Sequence, residues 1–441
     1  MIKHNPQEHK EAGFARGYPS RFATIFDFCK ELGLAYYTPG EPIEISELGH
    51  HLIDALEVKE VGESLFVEEI HPEYETEVFL QAFAKSQRKN PFVRVLNDNI
   101  PLILLLETIR LLNADSEFNG AGISRKELPL LIFWKDNDAN ALYQCIKELR
   151  REYRYNPSDE TIIDICIDDI MEGDYKKFDE KSIMRDYPDE FIRKMRMTGL
   201  ISLRGAGRFI DINHNEDEKV EYVLEHYSTY PHFTDERAYF DYMATIDPNL
   251  FAIKAIEVSA SRSEELLNNW VAEYPWESIK KELAILSARR SSSDDVMRIL
   301  AAPARLEFLT ALAIKSKLPH VRVIPNYAAD DTGLPTSTAG GGKGDIECIE
   351  SPKGILVEVT MAEGRTQTIM EIWPIERHLV EFKGKYTEDS ESIFIAPSIY
   401  PDSVRQIKWV AFESDGKNRI RPYKIEDFVS FLETAEHLYA M

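Results

Sequence analysis

Positive charge is scarce in this chain. It carries 52 lysines and arginines against 76 aspartates and glutamates, a formal net charge of −24 over 441 residues. That balance excludes a uniformly basic nucleic-acid binder, because phosphate contacts need local lysine and arginine. It leaves open a protein that gathers its few cations on particular faces. Cysteine is scarce as well: Cys29, Cys145, Cys166 and Cys348 lie far apart, without CxxC spacing. Neither a zinc ribbon nor a disulfide framework fits that pattern, and a reducing cytoplasm does. No apolar run approaches the length of a membrane span, and the opening Met-Ile-Lys-His-Asn-Pro-Gln-Glu lacks the apolar core of a signal peptide. The expected location is cytoplasmic, with no membrane partner. The chain does have 44% apolar residues, enough for cores in two to four domains.

Periodicity and turn residues divide the chain into four parts. In residues 1–90, Arg21–Leu32 has one apolar helical face and ends at Gly33. Leu34–Tyr37 and Pro42–Ile45 follow as short strands, and Ser46 reads as the N-cap of a helix over Glu47–Leu56. Helix, hairpin, helix in this order predicts a winged-helix-like DNA recognition module. The same grammar returns at Asp189–Thr198, Leu200–Leu203 and Arg208–Ile212, so residues 91–230 are expected to be mostly helical with a second winged-helix-like module. An apolar run at Ile100–Leu112 and a basic amphipathic helix at Leu142–Tyr155 belong to that middle part. Residues 231–295 read as a helical linker region ending in the polar Ser291-Ser292-Ser293-Asp294-Asp295. From 296 to 441 the pattern turns α/β. A helix is expected at Pro303–Lys317 and a strand at Val321–Ile324. A long flexible loop over Ala328–Gly344 and two strands follow, then a helix over Gln367–Lys383. Further strands at Ser392–Ala396 and Ile407–Phe412 and a closing helix at Ile425–Tyr439 complete it. The fold class is multidomain α+β with a carboxy-terminal α/β domain.

Chemistry concentrates in that last part. Gly340-Gly341-Gly342-Lys343-Gly344 leads into a strand that opens on Asp345, and a second strand carries Glu358 inside Ile355-Leu356-Val357-Glu358-Val359. A carboxylate within such a run is costly to bury unless it is paired or binds a cation. Two acids on adjacent strands can share one Mg2+, a hard ion that accepts a few carboxylates and keeps waters, with Mn2+ able to substitute. This layout resembles that of PD-(D/E)xK nucleases and points to phosphodiester hydrolysis. Glu307, on an otherwise apolar helix, is a further candidate, and Glu371 and His378 share a helix face two turns apart. The lysine usually found two residues after the strand acid is replaced by Thr360; Gln367 or Lys343 are candidates for the missing donor. Gly205-Ala206-Gly207 sits in a hairpin and not before a helix, which excludes a dinucleotide fingerprint. The cations Arg185, Arg193, Lys194, Arg196, Arg204 and Arg208, with Arg150, Arg151 and Arg154, are the DNA-facing candidates, most of them positioning the module on phosphates.

Taken together, these stretches resemble the AlwI-type restriction endonucleases, which include type IIS and nicking enzymes. The resemblance is densest over Pro303–Lys383. It rests on Arg305-Leu306-Glu307-Phe308-Leu309-Thr310, Gly344-Asp345-Ile346-Glu347, Val357-Glu358-Val359-Thr360 and Thr366-Gln367. It continues through Glu371, Arg377-His378-Leu379 and Ile393-Phe394-Ile395-Ala396-Pro397. Weaker matches lie at Ile43–Leu52 and Phe191–Ile212. The resemblance implies an acidic active-site set of Glu307, Asp345, Glu358 and Glu371 with His378 beside it, and threonine in place of the lysine. It also implies an amino-terminal recognition region and a carboxy-terminal Mg2+-dependent endonuclease domain acting on double-stranded DNA. One active site cuts one strand, so double-strand cleavage needs a second catalytic subunit or a transient homodimer. The alternatives are a strand-specific nicking enzyme, or a winged-helix DNA-binding regulator with no catalysis.

Overall fold

The computed structural model describes residues 18–439 apart from 39, 62–63, 94, 96, 119, 121 and 174–178. The chain forms two compact units: one holds residues up to 54, 74–191 and 218–254, the other 55–73, 192–217 and 255 onward. Among the described residues no helix is long and apolar enough to cross a membrane.

The first unit is helical. The expected apolar run becomes the helix Pro101–Ala114, with proline in its first turn and Leu102 through Leu106 buried. The basic helix appears as Ala139–Tyr153, capped by the Asp138 carboxylate, which accepts the Ala141 N–H. Ser46 caps Glu47–Asp54 as expected, accepting the Gly49 N–H at 2.9 Å. Arg150, however, does not face outward. It is fully buried; its Nε and Nη2 each donate to Glu127 at 2.8 Å, and Nη2 also donates to the Gly122 carbonyl at 2.6 Å. Its position on the inner face of an amphipathic helix makes it a core strut, and it is removed from the DNA-facing candidates.

In the second unit, α1 (Ala302–Lys317) packs beside a five-stranded mixed sheet. The strands are β1 (Arg322–Pro325), β4 (Ile346–Glu350), β5 (Lys353–Val359), β6 (Glu391–Ala396) and β7 (Ile420–Lys424), in the order β7-β6-β5-β4-β1. The β5-β6 and β6-β7 pairs are parallel and the other two antiparallel. A separate hairpin, β2 (Tyr327–Ala329) with β3 (Pro335–Ala339), lies between β1 and β4 in sequence. Helices α2 (Gly364–Met370), α3 (Ile372–Lys385), α4 (Pro401–Glu413) and α5 (Ile425–Thr434) complete the unit. Leu356, Ile375, Leu379, Phe394 and Val410 form part of the core between sheet and helices.

Three expectations are corrected here. Residues 328–344 are no floppy loop but chiefly the β2-β3 hairpin. Asp330 organises its turn by accepting the Thr332 and Leu334 N–H groups at 3.0 and 3.1 Å, and Trp270 Nε1 donates to the Thr332 carbonyl at 2.7 Å. Ile407–Phe412 is helical, within α4; Ser403, Ile407 and Val410 are its buried positions, a helical period that a short apolar run conceals. The helix expected over Gln367–Lys383 is broken at Glu371. Pro374 has no N–H to bond the Met370 carbonyl, so the first helix cannot run on into the second. The strand β7 had no counterpart in the sequence reading. Its Pro422 is tolerated because β7 is an edge strand.

The buried Arg150–Glu127 pair yields a stability test. Arg150→Ala leaves Glu127 as an uncompensated buried charge and is expected to destabilise the helical unit by about 3–5 kcal/mol. The exposed Arg185→Ala should stay within about 0.5 kcal/mol of the parent. Urea denaturation followed by circular dichroism checks both, and an unshifted midpoint for Arg150→Ala would contradict the buried pair.

Candidate active site

Strand register brings the first two acids together. Ile346 pairs with Val357, so one step along the ladder Asp345 meets Glu358. Asp345 stands where the chain enters β4. Its Oδ2 accepts the Val359 N–H at 2.7 Å and its carbonyl accepts the Asn326 N–H at 2.9 Å. Asn326 Nδ2 in turn donates to the Gly344 carbonyl at 2.6 Å. Gly344 leaves room for the pair: a Cβ there would lie 2.4 Å from Leu356 Cδ1 and 2.8 Å from Glu358 Oε1.

Glu358 is 5% exposed, next to last in β5. Its Oε1 lies 3.0 Å from His378 Nδ1, on α3. With the proton on Nδ1 the imidazole donates to the carboxylate and holds its orientation. Glu371, at the break between α2 and α3, accepts from Thr360 Oγ1 at 2.7 Å. Thr360 Oγ1 also accepts the Ala362 N–H at 3.0 Å. The hydroxyl in the lysine position therefore orients an acid and brings no charge. Glu307 reaches the same region from α1; it is 4% exposed and its Oε2 accepts the Ala339 N–H from β3 at 3.0 Å.

The fold thus gathers all five sequence-derived residues, Glu307, Asp345, Glu358, Glu371 and His378. Of the proposed lysine substitutes, Gln367 is ruled out. Its Nε2 donates to the Ala362 and Ser398 carbonyls at 3.0 and 2.8 Å and its Oε1 accepts the Tyr400 N–H at 2.8 Å, which uses both amide hydrogens on neighbouring loops. Lys343 is exposed on the glycine turn. Asn326 and the Ala339 N–H went unread in the sequence, because each acts through a contact between distant segments. Glu69, from the Ser64–Glu69 strand, was also missed; its charge is felt at Glu307.

The acids strain one another. Burial raises Asp345 well above the usual carboxylate range; the Glu358 charge is the next cause and Glu371 adds to it. Burial likewise raises Glu358, with Glu371 pushing the same way. Burial and then the Asp345 charge push Glu307 up to about 9, while the Ala339 N–H pulls against them. Two like charges about 4 Å apart repel by about 4 kcal/mol at an effective dielectric constant of about 20. Such a cluster is relieved either by shared protons or by a cation.

The cationic candidates divide. Arg196 is buried, donating to Asp330 at 2.8 Å and to the Pro335 carbonyl at 2.7 Å. Arg204 donates to Asp331 at 2.6 and 3.2 Å and to the Ile212 carbonyl at 3.0 Å. Both guanidinium groups clamp the β2-β3 hairpin, so with Arg150 they are corrected from DNA contacts to structural ones. Arg151 is exposed but forked onto Glu117 at 3.0 and 2.8 Å. Arg193 is exposed and donates to the Arg298 carbonyl at 2.7 Å. Arg154, Arg185 and Arg208 are exposed and Lys194 is half-buried.

A profile described as AlwI restriction endonuclease matches residues 30–274 and 258–431. No curated protein matches the chain significantly. Among solved structures, the small subunit of the heterodimeric restriction endonuclease R.BspD6I is 22% identical. That alignment covers 35% of this chain and 77% of that one, with a TM-score of 0.30. Restriction endonuclease FokI is 12% identical, with 96% of this chain and 80% of that one covered and a TM-score of 0.27. FokI bound to DNA gives 11% identity, 96% and 79% coverage and a TM-score of 0.27.

The strain sets a pH dependence. A carboxyl whose pKa is raised on folding binds more protons folded than unfolded, so stability falls as pH rises from the ordinary glutamate range up to about 9 for Glu307. Metal-free protein should therefore melt at a higher temperature at pH 6 than at pH 9. Glu307→Gln should flatten that slope. A slope unchanged by Glu307→Gln in calorimetry across this range would remove Glu307 from the strained set.

Proposed function

The chain belongs to the AlwI restriction endonuclease family, and from that premise we propose a site-specific DNA endonuclease of type IIS character that hydrolyses a phosphodiester bond at a distance from an asymmetric site. The observation that carries the reading is the meeting of Asp345 and Glu358 across β4 and β5, with Glu307, Glu371 and His378 around them. Buried acids held this close suit a divalent cation, and the all-oxygen donor set suits Mg2+, with Mn2+ as a substitute. Asp345 and Glu358 would hold it. When bound it would supply an activated water and charge stabilisation on the phosphoryl oxygens.

The chain's own residues do the rest. Val359 N–H and His378 Nδ1 hold the Asp345 and Glu358 carboxylates in place. Glu371, oriented by Thr360, and Glu307, oriented by the Ala339 N–H, are placed to accept a proton from water entering the cluster. In-line attack would leave 5′-phosphate and 3′-hydroxyl ends. Recognition would fall to winged-helix-like modules before residue 296, with exposed Arg185, Arg193 and Arg208 and half-buried Lys194 as phosphate contacts. This set of acids acts on one strand, so double-strand cleavage requires a second catalytic subunit or a transient homodimer; a monomer nicks.

Supercoiled plasmid incubated with the protein and Mg2+ tests this. The expected products are open circles or discrete linear fragments, lost with EDTA. Asp345→Ala and Glu358→Ala should each slow cutting at least about 100-fold while leaving DNA retention in a mobility-shift gel intact. Full cutting by both variants would sink the assignment.

A further inference from the structure

At the far end of β4 from Asp345, roughly 17 Å away at about 3.3 Å per residue, three sequence-distant residues converge. Glu350 ends the strand and is 5% exposed. Its Oε1 lies 2.8 Å from His320 Nε2 and 2.7 Å from His437 Nδ1, and its Oε2 accepts the Leu438 N–H at 2.8 Å. His320 comes from the turn between α1 and β1. His437 comes from the tail after α5, where the chain leaves the helix earlier than its sequence suggests and seats Leu438 fully buried. The three donor atoms lie within 4.8 Å of one another. The two rings meet edge to face with centroids 6.2 Å apart.

We propose that His320, Glu350 and His437 form a transition-metal site, for a borderline cation such as Zn2+, that ties the carboxy-terminal tail to the sheet and stands apart from the acid cluster. Two imidazole nitrogens and one carboxylate oxygen make a set that favours zinc-like cations over Mg2+. Rotation of the side chains to bond lengths of about 2.0–2.2 Å replaces the two N···O contacts by metal bonds, with each ring's proton carried on its other nitrogen. The Leu438 N–H keeps the carboxylate oriented, as outer hydrogen bonds do at metal sites. His320 is half exposed, which gives the ion an entry path and leaves a coordination position for water. Because the tail joins through His437 and Leu438, the bound ion would link residues 320, 350 and 437 across the unit's chain ends. This reading is independent of the proposed nuclease activity.

The test uses full-length protein carrying Asp345→Ala and Glu358→Ala, so that the acid cluster contributes no metal. After stripping with EDTA and dialysis against ZnCl2 in excess MgCl2, atomic emission should find one zinc per chain. Addition of His320→Ala or of His437→Ala should abolish it. Both histidines are partly exposed, so folded variants are expected, with circular dichroism as the check. ZnCl2 should raise the melting temperature of the parent and not of the His437→Ala protein. CoCl2 should give the visible absorption of a low-coordinate nitrogen–oxygen site only in the parent. Zinc content unaffected by either histidine substitution, or no zinc retained by the parent, overturns the proposal.

Discussion

The second unit depends on one electrostatic constraint: four carboxyl groups, two buried and two half-buried, must be held close together. Asp345 and Glu358 face each other by strand register, and Glu307 and Glu371 arrive from helices. Each of them has a designated donor. The Val359 N–H, His378 Nδ1, the Ala339 N–H and Thr360 Oγ1 fix four orientations, and none of these four donors is a lysine or an arginine. A nearby lysine would have neutralised part of the charge permanently. Threonine orients an acid without that neutralisation, which leaves the cluster under strain. This is the usual conflict between local stability and chemistry at functional sites.

The scarcity of positive charge acts in the same direction. Arg150 serves Glu127, Arg196 serves Asp330, and Arg204 serves Asp331, each in a buried or part-buried pair. A charge count treats these guanidinium groups as available to phosphates, but the fold has already used them. Their clustering in sequence arises because helix and hairpin faces that look basic are partly inner faces. Of the nine cationic candidates, fewer are left exposed than the sequence implies.

The acids were legible because their environment is written locally. Glu358 stands in an aliphatic run and Asp345 follows four glycines with one lysine among them, so burial and strand pairing could be inferred from adjacent residues. Ser46 as a helix cap was legible for the same reason. The backbone donors that orient the acids, and Asn326, were not. Ala339 N–H meets Glu307 across 32 positions, and Asn326 meets Gly344 across 18; backbone groups carry no residue-type signal. Ile407–Phe412 failed as a strand because four to six apolar residues fit either period, and only the buried spacing of Ser403, Ile407 and Val410 distinguishes them. The break at Glu371 is written in Pro374, three residues later. His320, Glu350 and His437 lie up to 117 positions apart and share no motif, so only the fold reveals them.

The β2-β3 hairpin joins these themes. At its tip, Asp330 and Asp331 receive Arg196 and Arg204 from the 192–217 segment. At its base, Ala339 donates to Glu307. Gly333, at φ +82°, lies so close to Leu266 that a Cβ would stand 2.9 Å from the leucine Cβ, which fixes the tip against the helix Ala260–Glu273. Its own turn is locked by the Asp330 carboxylate. The hairpin thus ties the donor that orients Glu307 to a segment more than 90 residues earlier in the chain, through two ion pairs and one hydrogen bond.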